Sequence, residues 1–251
     1  MEREPIIEIS KLQKIYGYGR NELRVLKEID LTINKGDILS IVGPSGAGKS
    51  TLLNIIGCLD GFQSGNLVIN GKDVSRLTVE DLSDFRNRYI GFIFQLHNLL
   101  PEFTALENVM MPLLIRRVGW KKAKKQALEI IDRFGLVDRA EHKPMEMSGG
   151  ECQRIAVARS IIGNPDLILA DEPTGSLDSE NSRNLTNVLF ELGRDRNTTI
   201  VIVTHDLDIA GMTERTITLV DGEIIRDDGN GGSIPPVPDT GPEKKENSAE
   251  V

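Results

Sequence analysis

Aromatic side chains are scarce in this chain, at 4% of its 251 residues, so its core has to be assembled mainly from Ile, Leu and Val. Cysteine is scarcer still. Cys58 and Cys152 stand far apart without metal-type spacing, which reads as two reduced thiols of a cytosolic protein. No run approaches the roughly 18 consecutive apolar residues of a spanning helix. The opening Met-Glu-Arg-Glu-Pro has no apolar segment behind it, so no secretion signal is expected and any membrane role must come through a partner. An excess of positive charge is also lacking. A formal net charge of −8 argues against nucleic acid as a partner, because a grip on phosphates needs clustered Lys and Arg. What is present, 39% hydrophobic and 27% charged residues, fits a soluble globular chain of one large domain or two small ones.

Residues 6–10 and 24–33 alternate apolar and polar side chains, as half-buried antiparallel strands do. Residues 38–42 read as a buried strand, followed by a glycine-rich loop and a helix over 50–57. From about 96 to 163 helical spacing takes over, at 106–115, 121–134 and 151–162, which predicts a helical insertion in a larger α/β unit. The α/β alternation then resumes with a strand at 167–170, a helix at 179–195 and a strand at 199–203, so the core sheet is expected to be mostly parallel. After Arg226 the chain becomes rich in Asp, Gly and Pro, and residues 227–251 are expected to form a disordered tail.

Gly43-Pro44-Ser45-Gly46-Ala47-Gly48-Lys49-Ser50, with Thr51 after it, matches the phosphate-binding pattern G-x-x-x-x-G-K-[ST] in the required strand–loop–helix setting. Glycines let backbone N–H groups point at phosphate oxygens, and the helix that follows adds its positive end. Lys49 is placed to reach the β- and γ-phosphates, and the Ser50 hydroxyl to ligate Mg²⁺. The motif alone does not choose among kinases, GTPases and motors. Residues 167–172 form an apolar strand ending in two carboxylates, with Asp171 a candidate Mg²⁺ ligand and Glu172 a candidate general base. Because successive strand residues face opposite sides, the pair is expected to divide its labour. Ser148-x-x-Glu151 is a capping box that opens a helix, and a helix start carrying Gly149 and Gly150 is itself an anion site.

Ser148-Gly149-Gly150-Glu151 also resembles the signature of ABC-type ATPases, usually written L-S-G-G-Q, with Met147 and Glu151 as departures from it. The phosphate loop, Gln95 after Phe94, Asp171-Glu172, Ser176-Leu177-Asp178 and His205 after Thr204 fall in that family's order, so residues 5–226 resemble one ABC ATPase domain. The resemblance implies a P-loop α/β fold with an N-terminal antiparallel β subdomain and an inserted α-helical subdomain. It also implies ATP and Mg²⁺ as cofactors and a head-to-tail homodimer in which Ser148, Gly149 and Gly150 of one copy meet the γ-phosphate bound by the other. By the same resemblance, Gln95 contacts Mg²⁺ or the attacking water and His205 contacts the γ-phosphate. Tyr16 resembles the aromatic that stacks on adenine, with packing against a neighbouring strand as its rival reading.

Residues 91–95 and 98–109, with Ser-Gly-Gly-Glu, resemble more narrowly the lipoprotein-release and macrolide-export branch, and the related cell-division ATPase is also similar. The implied role is a cytoplasmic motor, peripheral on the inner face of the cell membrane, that drives an integral membrane permease subunit. A chromosome-maintenance ATPase would need long coiled coils, and a small-molecule kinase would make the signature and His205 accidental. Leu99, Leu100 and Phe103 are read as a groove for a partner helix or as packing of the helical insertion. The cations Arg116, Arg117, Lys121, Lys122, Lys124 and Lys125 are read as a solvated helix face or a contact for anionic headgroups.

Overall fold

The computed structural model describes residues 4–175 and 177–229. The chain opens with β1 (Pro5–Tyr16) and β2 (Leu23–Asn34), which pair antiparallel and run further than their apolar alternation shows. Then follow β3 (Ile38–Val42), α1 (Lys49–Ile56), β4 (Ser64–Ile69), β5 (Lys72–Asp73), α2 (Val79–Tyr89) and β6 (Ile90–Ile93). The helical stretch comprises α3 (Ala105–Ile115), α4 (Trp120–Arg133) and α5 (Gly149–Ile161). It gives way to β7 (Leu167–Asp171), α6 (Ser179–Arg196), β8 (Thr199–Val203), α7 (Leu207–Gly211), β9 (Arg215–Val220) and β10 (Glu223–Gly229).

Two sheets result. One is antiparallel, in the order β2-β1-β4-β5, and the other runs β10-β9-β3-β8-β7-β6, parallel at every pair except β9 with β10. The fold is thus the expected α/β architecture: a mostly parallel core sheet, an N-terminal antiparallel sheet and a set of inserted helices. The central strands β3, β7 and β8 are buried on both faces, as parallel strands covered on both sides must be. Alternation then sorts them. Ile38, Ile168, Ile200 and Ile202 join α3–α6 in one core, while Leu39, Leu169, Val201 and Val203 join α1 and the antiparallel sheet in the other.

The predicted tail needs a correction at its start. Asp227, Asp228 and Gly229 belong to β10, paired with Ile217, Thr216 and Arg215, and Asp227 takes two hydrogen bonds from the Arg215 guanidinium at 2.7 and 2.5 Å. An Asp-rich composition hid a strand whose carboxylates have a cation opposite. Residues 230–251 lie outside those described, as does Ser176.

The turn between β6 and α3 is fixed by a polar side chain inside the helical layer. Asn108 is fully buried in α3. Its Oδ1 accepts the Leu100 N–H at 2.8 Å, and its Nδ2 lies 3.0–3.2 Å from the carbonyls of Leu100, Phe103 and Thr104. Thr104 and Glu107 add a reciprocal capping box at the start of the same helix. Arg159 of α5 holds the other end of the turn through the His97 and Asn98 carbonyls at 2.9 and 2.7 Å. Replacing Asn108 with Ala orphans several buried backbone groups and should cost about 1–3 kcal/mol. Urea unfolding would register this as a lower midpoint at unchanged slope.

Candidate functional site

The loop between β3 and α1 is shaped by glycine. Gly43, Gly46 and Gly48 have φ of +153°, +81° and +99°, and a Cβ on Gly43 would stand 1.9 Å from the Leu219 carbonyl oxygen. Helices α2, α3 and α5 have side chains capping their first turns, whereas α1 begins at Gly48 with none. Its leading N–H groups are therefore left for an anion. The Lys49 ammonium lies back over the loop and donates to the carbonyls of Gly43 and Pro44 at 2.8 and 2.9 Å.

The loop forms one wall of a cavity of about 570 Å³ that carries Gly43, Ser45, Gly46, Gly48, Lys49, Ser50 and Thr51. Gln95 from the turn after β6, Asp171 and Glu172 from the end of β7, and His205 from the turn after β8 complete it, with Tyr16 at its rim. Residues spread over most of the chain converge at the carboxyl edge of the parallel sheet, where such folds bind ligands. Ala47 does not reach the wall; it is buried, and its N–H donates to the Pro44 carbonyl at 3.3 Å. Ser148, Gly149 and Gly150, at the start of α5, do not line this cavity either.

Asp171 and Glu172 were expected to face opposite ways on a strand, but they share the cavity. β7 stops at Asp171, and Glu172 takes φ +47°, which swings its side chain to the same side. Its N–H donates to the Val203 carbonyl at 2.9 Å. Glu172 Oε1 accepts from the His205 N–H at 3.0 Å and from Nδ1 of the ring at 2.7 Å, and Oε2 accepts from the Thr204 hydroxyl at 3.3 Å. The Ser50 hydroxyl donates to Asp171 Oδ1 at 3.1 Å. Burial pushes the Asp171 carboxyl above its ordinary range, with the Glu172 charge adding to the effect against the pull of Ser50 and Lys49. Burial likewise lowers Lys49, opposed by Glu172 and Asp171.

Tyr16 is exposed, its hydroxyl bonded to Asp60 Oδ2 at 2.5 Å and its ring 4.4 Å from the Lys14 ammonium. Thr204 and Gln153 escaped the sequence reading. Gln153, buried in α5, donates to the carbonyls of Phe94 at 3.2 Å and Pro173 at 2.7 Å, and so ties the turns bearing Gln95 and Glu172 to one helix. Gln153 sits beside Arg154 in a polar stretch at the start of the helix, so nothing in the sequence singled it out.

Residues 26–175 match the family described as ABC transporter. The lipoprotein-releasing system ATP-binding protein LolD of Bacteroides thetaiotaomicron is 55% identical over 88% of this chain and 100% of its own length. LolD of Geobacter metallireducens is 50% identical over 88% of this chain and 99% of that protein. Among solved structures, the dimeric ATP-binding cassette MJ0796 in a post-hydrolysis state bound to ADP and Pi superposes with a TM-score of 0.85 at 40% identity, over 90% of this chain and 99% of that one.

Substituting Gly43 by Ala tests the loop geometry. It should lower the melting temperature and abolish binding of a fluorescent ATP analogue, because the new Cβ displaces the loop from β9.

Proposed function

The chain belongs to the ABC transporter family, and from that premise we propose that it is the ATP-hydrolysing motor subunit of a lipoprotein-releasing system. The observation that carries the chemistry is the convergence of Lys49, Ser50, Gln95, Asp171, Glu172 and His205 on one cavity. ATP binds there, its phosphates against the loop, α1 and Lys49. Tyr16, at the rim, offers a ring face to the adenine. The Ser50 hydroxyl and the Asp171 carboxylate are hard oxygen donors side by side, the donor type that Mg²⁺ takes while leaving its other positions to phosphates and water. Ser50, Asp171 and Gln95 are the residues to hold it, and when bound it neutralises charge developing on the β- and γ-oxygens.

Glu172 is the general base. Its carboxylate is held in place by Thr204 and His205, so it can receive a proton from water without first being ordered. His205 then orients the base through Nδ1 and keeps its other ring nitrogen for the γ-phosphate. The start of α5 does not reach this cavity, so Ser148, Gly149 and Gly150 are free to meet the phosphate of a second copy. The dimeric cassette at 40% identity supports this head-to-tail homodimer.

Relatives at 50–55% identity carry the lipoprotein-releasing name, which favours release over macrolide export as the work done. No described helix is long and apolar enough to cross a membrane, and the motor acts on the inner face of the cell membrane through an integral permease subunit. The expected groove at Leu99, Leu100 and Phe103 takes a different form. Leu99 packs into the helical core, whereas Leu100 and Phe103 are partly exposed. The concave surface beside Gln95 is a cavity of about 360 Å³ walled by Leu59, Phe92, Phe94, Arg86, Arg116 and Arg159, and a permease helix seats there. Arg116 leaves the solvated cluster for this wall, bonded to Asn87 Oδ1 at 2.8 Å and the Gly163 carbonyl at 2.7 Å.

Two measurements test the reading. Glu172→Gln should bind ATP normally and hydrolyse it about 10²–10⁴-fold more slowly; near-normal turnover would assign the base elsewhere. Leu59→Glu, at an exposed position, should keep the melting temperature and basal hydrolysis yet lose co-purification with the integral permease from native membranes. Loss with Leu100→Glu plus Phe103→Glu, and not with Leu59→Glu, would move the docking surface onto the loop.

A further inference from the structure

The signature departs from the usual pattern at Glu151, which puts a carboxylate in the first turn of a helix whose start is to receive a phosphate. The structure shows how that charge is managed. Glu151 Oε2 accepts the Ser148 N–H at 2.7 Å, and the Glu151 N–H donates to Ser148 Oγ at 3.2 Å, closing the capping box. The other oxygen, Oε1, accepts from Arg139 Nε at 2.9 Å. Arg139 comes from the short turn Val137–Arg139 after α4, and among the described residues Glu151 is its one ion-pair partner. Hydrogen bonding to the Ser148 backbone, then to Arg139, holds the Glu151 carboxyl down at about 2, so it is charged at any working pH. The other cation near this helix start, the Arg154 guanidinium, approaches Gly150 and makes no ion pair with Glu151.

We propose that Arg139 is a positioning residue for the ATP-bound dimer: it neutralises Glu151 and keeps that carboxylate turned onto the Ser148 amide, away from the incoming γ-phosphate. The inference rests on the head-to-tail reading given above. A glutamine at 151 would cap the helix without charge and need no such partner. A glutamate presents like charge to a triphosphate in a closing, water-poor interface, where repulsion is screened least. Arg139 and Glu151 are therefore one charge-compensated unit, and the effect of either substitution depends on the other.

Sedimentation of the full chain in the Glu172→Gln background, with ATP and Mg²⁺, reads the dimer directly. Arg139→Gln should weaken ATP-dependent dimerisation by about tenfold or more, as like charges facing each other across an interface do. Arg139→Lys should stay close to the parent, and Glu151→Gln added to Arg139→Gln should restore dimerisation. Melting curves confirm that each variant is folded. If Arg139 only braced its turn against α5, the double variant would be no better than Arg139→Gln, and that result overturns the inference. So does an Arg139→Gln chain that dimerises like the parent. Failure of the parent itself to dimerise with ATP has a different signature, since no variant then responds, and it removes the head-to-tail reading together with the inference.

Discussion

The site depends on how the chain leaves β7. A strand ending in two acidic residues would ordinarily send their side chains to opposite faces, one toward the cavity and one into a core. The left-handed backbone at Glu172, φ +47°, places both carboxylates on the cavity side instead. For a residue with a Cβ this conformation costs about 1–2 kcal/mol, and the surroundings hold it in place. The Glu172 N–H is bound by β8 through the Val203 carbonyl, and its carboxylate is bound by Thr204 and His205 just beyond β8. One carbonyl acceptor and the donors of Thr204 and His205, all at one neighbouring strand end, over-determine the turn, so the Glu172 carboxylate is positioned by the edge of the sheet.

The sheet can carry that demand because it is closed on both faces. Alternate residues of β3, β7 and β8 enter two separate apolar cores, one under the helices α3–α6 and one under α1 and the antiparallel sheet. Sliding any one of these strands by a residue would exchange its two sets of side chains between cores of different shape. The carboxyl ends of β3, β7 and β8 are thereby fixed relative to one another, and the loop at Gly43–Gly48, Asp171 and His205 inherit that register.

Much of this was legible in the sequence, for reasons that differ by element. The strands at 38–42 and 199–203 were found at their observed limits because burial on both faces leaves a mostly aliphatic run, with only the buried Ser40 and Thr199 in it, between turn residues. α6 began at Ser179 as expected, whereas α1, α3, α4 and α5 began one or two residues earlier than their apolar spacing indicated. β4, β5, α2, β6, α7, β9 and β10 were not assigned. β10 alternates exposed and half-buried positions, so its pattern carries little amplitude, and α2 buries only Phe85. The site residues could be listed from motifs, but their grouping could not: Asp171 and Glu172 were placed apart for want of a signal for the φ of Glu172.

Long-range polar contacts were the least visible class, and they tie α5 to two of the turns that border the cavity. Gln153 bonds the carbonyls of Phe94 and Pro173 from within α5, the helix that begins at Ser148. Arg159, two turns further along the same helix, bonds His97 and Asn98. The turn after β6 is thus gripped by α5 on both sides of Gln95, and α3 grips its far end through Asn108. Apart from the exposed Asn98 carbonyl, these contacts are buried or half-buried, so pulling α5 away from either turn would leave several carbonyls unpaired at once. A displacement of α5 would therefore strain its contacts to the Gln95 turn and to the end of β7 together. In such a unit, the helix start proposed to meet a second copy's nucleotide and the residues proposed to handle this copy's own nucleotide are braced against one another.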